Sequence, residues 1–199
     1  MRYRSSQSEN LIPIWIIILL NLMVFIAALV NRQLILELFS LWKPVSFVES
    51  IVNRPWTLIT CVFTHIQIWH IFANMFTFFF FGRFLTRLIG AGNLLLVYFC
   101  GGIVASIFFL LLARPSPVPA VGASGAIFAL GGVLTILTPR LKVFLFLIPV
   151  PISLWIAIIG GFIILSVIPG VAWQAHLGGL IVGLLFGLYY RNKLSLIYY

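Results

Sequence analysis

Aspartate is absent from the 199 residues, and the three acids present, Glu9, Glu37 and Glu49, all precede residue 50. Every apolar run beyond that point therefore lacks a carboxylate. This excludes proton relays on buried Asp or Glu, aspartyl intramembrane proteases and carboxylate-ligated metal sites of the H-E-x-x-H kind. Charge of either sign is scarce, at 8% of residues, where soluble domains carry about a quarter. With 63% hydrophobic and 16% aromatic residues, the chain reads as a membrane protein, not a cytosolic enzyme or secreted module. The only two cysteines, Cys61 and Cys100, lie inside apolar runs, so they read as packing residues rather than a disulfide framework. Twelve basic residues give a net charge of +9, but they are scattered between apolar runs. No nucleic-acid partner is implied by such a distribution, and membrane topology accounts for it better.

Six apolar runs, bounded by Arg, Lys, Pro or Gly, fall at 12–30, 57–81, 93–113, 123–138, 143–168 and 174–190. They predict an all-α membrane protein of six transmembrane helices. Residues 12–190 form its single helical domain, between an N-terminal tail (1–11) and a C-terminal tail (191–199). The first run follows Arg2 and Arg4 but has no clear A-x-A cleavage site, and reads as a retained span. With both termini cytoplasmic, Arg2, Arg4, Arg83, Arg87, Arg140, Lys142, Arg191 and Lys193 lie inside, against Arg32, Lys43, Arg54 and Arg114 outside. That arrangement obeys the positive-inside rule and suits a multi-pass protein of a bacterial-type inner membrane. Trp56 and Trp173 at one end, and Tyr189, Tyr190, Tyr198 and Tyr199 at the other, are candidate interfacial anchors.

Two segments break the pattern. Residues 31–56 exceed a tight turn and contain an apolar piece, 34–42, too short to span, which is expected to lie in the outer interface. The fourth run follows Arg114-Pro-Ser-Pro-Val-Pro-Ala-Val-Gly122, where three prolines and a glycine forbid a regular helix. The run itself makes only roughly 24 Å of helix, against a hydrocarbon core of roughly 30 Å. If Arg140 and Lys142 pin its inner end, its outer end starts below the membrane surface. Irregular backbone at that depth requires surrounding protein or a water-filled cavity. The sequence thus predicts a submerged cavity, open to the outside, at the start of the fourth helix.

Ser124, in Gly122-Ala-Ser-Gly125, stands at that point. A helix N-terminus offers free N–H groups to a developing oxyanion, and flanking glycines permit close approach. Taken alone, the motif reads first as an N-cap serine with packing glycines. His176 opens the sixth run, and Gly179, Gly183 and Gly187 share its face, so that face is flat enough to press on another helix. Phe128, Gly131 and Thr135 share the face of Ser124 on the fourth helix. Contact between the fourth and sixth helices would bring imidazole to hydroxyl. With no acid in the spans, a nucleophilic serine would have to work as a Ser-His dyad, its imidazole oriented by packing instead of a carboxylate. In the second run, His70 and Asn74 are four apart on one face and both can donate hydrogen bonds to an oxyanion. His65, five residues from His70 on the same expected helix, would point about 140° away, which argues against a shared metal site. It is expected to tie down the outer loop. No metal or organic cofactor is implied.

Together these residues resemble the rhomboid family of intramembrane serine proteases. The matching elements are His65 and His70 with Asn74-Met75 in the second run, Gly122-Ala-Ser-Gly125 opening the fourth, and Ala175-His-Leu-Gly-Gly-Leu-Ile-Val-Gly183 in the sixth. Each is weak alone; their order and spacing are jointly specific. The resemblance implies a bare six-helix core with Ser124 as nucleophile and His176 as general base. His70, Asn74 and the Ser124 N–H would form the oxyanion hole, Phe128 would pack on the catalytic imidazole, and Gly125, Gly179 and Gly183 would allow close helix contact. It further implies a half-submerged first outer loop, lateral entry past the aromatic-rich second and fifth helices, transmembrane protein substrates, the lipid bilayer as medium and water as co-substrate. Two departures stand out: Pro55-Trp-Thr57 lacks the Trp-Arg pair of many members, and Phe128 replaces a tyrosine. A catalytically silent client-binding relative would be marked by loss of the serine or histidine, and both are present. A small transporter would show inverted repeats and intramembrane charge, neither of which is visible.

Overall fold

The computed structural model describes residues 10–43, 47–145 and 148–197. Arg2, Arg4, Tyr198 and Tyr199, counted above for orientation and anchoring, lie outside them. Helix α1 (Ile12–Val30) occupies the first run, with Pro13 in its first turn, where a missing N–H costs nothing. It buries Ile14 and Ile17. The chain beyond Asn31 then forms α2 (Arg32–Phe39), strand β1 (Leu41–Lys43) and α3 (Phe47–Asn53). Asn31 caps α2 by accepting from the Leu34 N–H at 3.0 Å.

The second run is not one helix. It divides into α4 (Thr57–Thr60), a 3-10 turn (Cys61–Phe63), an extended stretch through 67, and α5 (Ile68–Ile89). Threonine hydroxyls compete with the helix ladder here: Thr57 Oγ1 donates to the Arg54 carbonyl, Thr60 Oγ1 to that of Phe39 and Thr64 Oγ1 to that of Thr60. Arg54 reaches back to the Glu37 carbonyl at 2.5 Å and Trp56 Nε1 to that of Leu38 at 2.9 Å, tying α2 to the start of α4.

Gly90, at φ 85°, ends α5 and admits α6 (Ala91–Leu112) directly. The proline-rich segment forms strand β2 (Ser116–Ala120), antiparallel to β1 with Leu41 opposite Ala120. Helix α7 (Ser124–Leu137) follows, 14 residues and so about 21 Å long.

The fifth run departs most from expectation. Strands β3 (Lys142–Leu145) and β4 (Ile148–Ser153) make a hairpin, leaving only 13 residues to α8 (Leu154–Ser166). Prolines 149 and 151 remove two N–H donors and clash with a helical backbone, so the helix cannot start before them. The all-α expectation is corrected by these two small ribbons. Helix α9 (Trp173–Ile197) then runs through much of the segment read as a C-terminal tail. Tyr190 is buried beside Phe186 rather than exposed as an anchor, whereas Tyr189 stays exposed.

Helices α1, α5 and α6 are long and apolar enough to cross a membrane, and α7 and α8 are shorter apolar helices. The core centres on α7, whose residues 125–134 are all buried, packed against α6 and α9. Backbone nearly touches backbone along the α7–α9 seam. A Cβ on Gly179 would fall well inside the van der Waals shell of the Gly125 carbonyl, and one on Gly183 inside that of Ala129. One on Gly132 would lie 2.9 Å from the Leu180 carbonyl oxygen. The seam on α7 is therefore 125, 129 and 132, one position round from the face of Ser124. Gly131 instead faces Ile158 of α8 and Phe81 of α5.

Candidate active site

Ser124 is the first residue of α7, and His176 lies one turn into α9. The glycine seam brings them together: Ser124 Oγ stands 2.8 Å from His176 Nε2. With Nε2 unprotonated, the hydroxyl donates and the imidazole is placed to take its proton. The other ring nitrogen, Nδ1, is buried with no hydrogen-bond partner among the described residues. Packing orients the ring instead. The Phe128 ring lies 4.7 Å from the imidazole, tilted by 32°, and is itself backed edge-on by Phe162 of α8 at 6.2 Å. Gly125 fits beneath because its missing Cβ would sit 2.5 Å from that of Ala105 and 3.4 Å from the Ala175 carbonyl oxygen.

Gly122, at φ 111°, takes a backbone conformation that L side chains resist. A Cβ there would lie 2.6 Å from His70 Nε2, so the glycine also lets the His70 imidazole close over the loop before Ser124. Asn74, one turn further along α5, is buried, and its Nδ2 donates to the His70 carbonyl at 2.8 Å. One of its amide hydrogens is thus spent on its own helix, leaving the second.

His65 lies not on α5 but in the extended stretch before it, which removes the helical reason for separating it from His70. The two rings are 4.8 Å apart, edge to face at 65°. His65 Nε2 accepts from the Ala123 N–H at 3.4 Å, in the turn that leads to Ser124. Sequence reasoning could not find this contact, because a loop conformation creates it. The same holds for Cys61, whose thiol meets Ser106 Oγ at 3.3 Å. Both cysteines are free thiols. Among the described residues no group of three or more His, Cys, Asp or Glu converges to hold a metal.

A cavity of about 30 Å³ adjoins Ser124, walled by small residues including Gly102, Ala105, Ala172 and Ala175. That volume suits a water molecule rather than a peptide segment. A larger hollow of about 350 Å³, lined by Glu37, Trp42, Glu49 and Arg54, contains none of the site residues.

A family model described as Rhomboid domain matches residues 52–193, which include every candidate site residue. The chain is 35% identical over 150 residues to Rhomboid protein 1, mitochondrial, of Saccharomyces cerevisiae, covering 71% of this chain and 43% of that protein. It is 36% identical over 147 residues to RHOMBOID-like protein 12, mitochondrial, of Arabidopsis thaliana, covering 64% of this chain and 44% of that one. Against the Rhomboid protease GluP of Bacillus subtilis it is 36% identical over 129 residues, covering 64% and 24% respectively. The chain thus spans less than half the length of these relatives.

Proposed function

This chain belongs to the rhomboid family, and from that premise we propose that it is an intramembrane serine endopeptidase cutting transmembrane segments of other membrane proteins near the outer face. The observation that carries the reading is the 2.8 Å approach of Ser124 Oγ to His176 Nε2, in a part of the chain without a carboxylate. His176 takes the hydroxyl proton as Ser124 attacks the scissile carbonyl, then returns it to the leaving amine. The oxyanion is held by the Ser124 N–H at the head of α7, by His70 and by the free amide hydrogen of Asn74. Water then hydrolyses the acyl-enzyme. Phe128 supplies the orientation that an acid supplies elsewhere.

The multi-pass protein holds six membrane-embedded helices, α1 and α5 to α9, with both ends cytoplasmic. Helices α2 and α3 lie in the outer interface. As the family resemblance implies, a substrate segment enters laterally, between α5 and α8, and partly unwinds there, the cavity of about 30 Å³ at Ser124 being too small to admit it unchanged. Released backbone groups in the entering segment find partners in protein and water. The chemistry needs neither metal nor organic cofactor. The test is cleavage of a single-span substrate with small residues near its outer boundary, by purified protein in detergent. Wild type is expected to cut, while Ser124→Ala and His176→Ala, still folded, lose at least about a thousandfold. Full activity in Ser124→Ala would end the assignment. A folded wild type that captures such substrates without cutting any would instead mark a client-binding relative.

A further inference from the structure

We propose that His65 is a positioning residue for Ser124: by accepting the Ala123 N–H it fixes the entry of α7 and so aims the serine's backbone amide at the oxyanion. The proposal rests on the hydrolytic reading above and extends it to a residue outside the dyad and the three oxyanion donors.

The local problem is set by sequence. Ala123 occupies the N-cap of α7, a place where Ser, Thr, Asp or Asn would normally bond the first-turn amides, and it makes no side-chain cap. Its own N–H is buried and would stand unpaired. The acceptor comes from 58 positions away, as Nε2 of a His65 that is itself fully buried. One residue earlier, the Gly122 N–H donates to the Cys61 carbonyl at 2.9 Å. Two consecutive amides of the nucleophile loop are therefore clamped to one short turn, 61–65.

The consequence falls on the next amide. With peptides 121–122 and 122–123 each held by its own N–H, the orientation of peptide 123–124 depends on the Ala123 torsions. The N–H of peptide 123–124 belongs to Ser124, the first orphan donor of the helix. The His65 ring also lies edge-on to His70 at 4.8 Å. One imidazole thus braces two oxyanion donors, the Ser124 amide directly through the loop and His70 through ring contact. Donors of this kind act only when aimed beforehand at the place where charge develops.

Glutamine can replace the acceptor, since its Oε1 falls near the position of Nε2. Leucine fills the volume without an acceptor, and asparagine mimics Nδ1 instead. The experiment uses the purified full chain in detergent with the single-span substrate, measuring kcat, KM, the rate of Ser124 labelling by a small fluorophosphonate, and thermal unfolding. Expected results are a kcat at least about tenfold lower for His65→Leu, with KM within about twofold, and His65→Gln within about threefold of wild type. Labelling should fall in parallel with kcat. Should the leucine variant fail to fold, His65→Asn is expected to show the same loss of kcat. A wild-type kcat in His65→Leu would overturn the proposal, as would equal losses in Gln and Leu that track the folded fraction. A wild type that neither cleaves nor labels would overturn the hydrolytic reading itself, an outcome distinct from either.

Discussion

The two sides of α7 are built on opposite principles. Toward α9 the contact is backbone on backbone, with Gly179 and Gly183 set against the Gly125 and Ala129 carbonyls, and nothing in that seam can move without a clash. Toward α5 and α8 the fillers are long side chains, Phe81 and Ile158 over Gly131 and Phe162 over Phe128. Beyond them α5 displays an exposed row of Trp69, Phe72, Phe76 and Phe80, each ring against the next. Glycine seams fix distance, because the only available separation is the one at which backbones touch. Aromatic and aliphatic fillers can change rotamer. The proposed dyad spans the rigid side, and the side proposed for substrate entry is the deformable one.

The comparison breaks most severely at the seam. In Gly179→Leu the added carbons cannot be accommodated by rotamer change, since the obstruction is a carbonyl, so α7 and α9 must part. Overpacking of this kind costs about 3 kcal/mol or more, and even an ångström of separation between Ser124 and His176 lowers turnover by about a hundredfold. Thermal unfolding and substrate cleavage should fall together. A Gly179→Leu variant that kept both would show that the seam is not what sets the dyad distance.

A smaller effect is expected one shell out. Phe128 belongs to the Ser124 face of α7, and its ring restrains an imidazole that has no acid to hold it. Phe128→Leu keeps most of the volume, so the stability cost should stay near 1 kcal/mol, while kcat drops about tenfold through loss of orientation. Phe128→Tyr, which retains the ring, should remain within about threefold of wild type. The two variants separate ring contact from mere filling when cleavage is compared with unfolding.

How much of this was legible follows the same division. Face counting on α9 places His176 above its glycines, and the prolines before Gly122 announce a short α7, so the dyad can be drawn from the sequence. Counting puts the α7 seam on the face of Ser124, however, whereas the structure uses 125, 129 and 132. A helix face is broad enough that polarity alone does not choose between adjacent positions. The breaks are less visible. Hydropathy sums over about twenty residues, and both 57–81 and 143–168 pass as spans on that average. Threonine hydroxyls at 57, 60 and 64 and prolines 149 and 151 act over three or four residues. Missing the first break misplaces His65, and with it the brace on Ala123.

The mildest substitution tests the deformable side. Phe76 is about half exposed and contacts its neighbouring rings Phe72 and Phe80 on the outer row of α5. Phe76→Ala therefore leaves α7, α9 and the dyad untouched, and its effect on unfolding should not exceed about 0.5 kcal/mol. Labelling of Ser124 by a small fluorophosphonate, which needs no helix to enter, should be unchanged. Cleavage of a transmembrane substrate should shift by about two- to fivefold, because an arriving helix must pack on this row before it unwinds, and ring contacts of this kind contribute about 0.5–1 kcal/mol. A parallel change in labelling would mean that the row reaches the dyad after all. No change in either assay would move the entry path off α5.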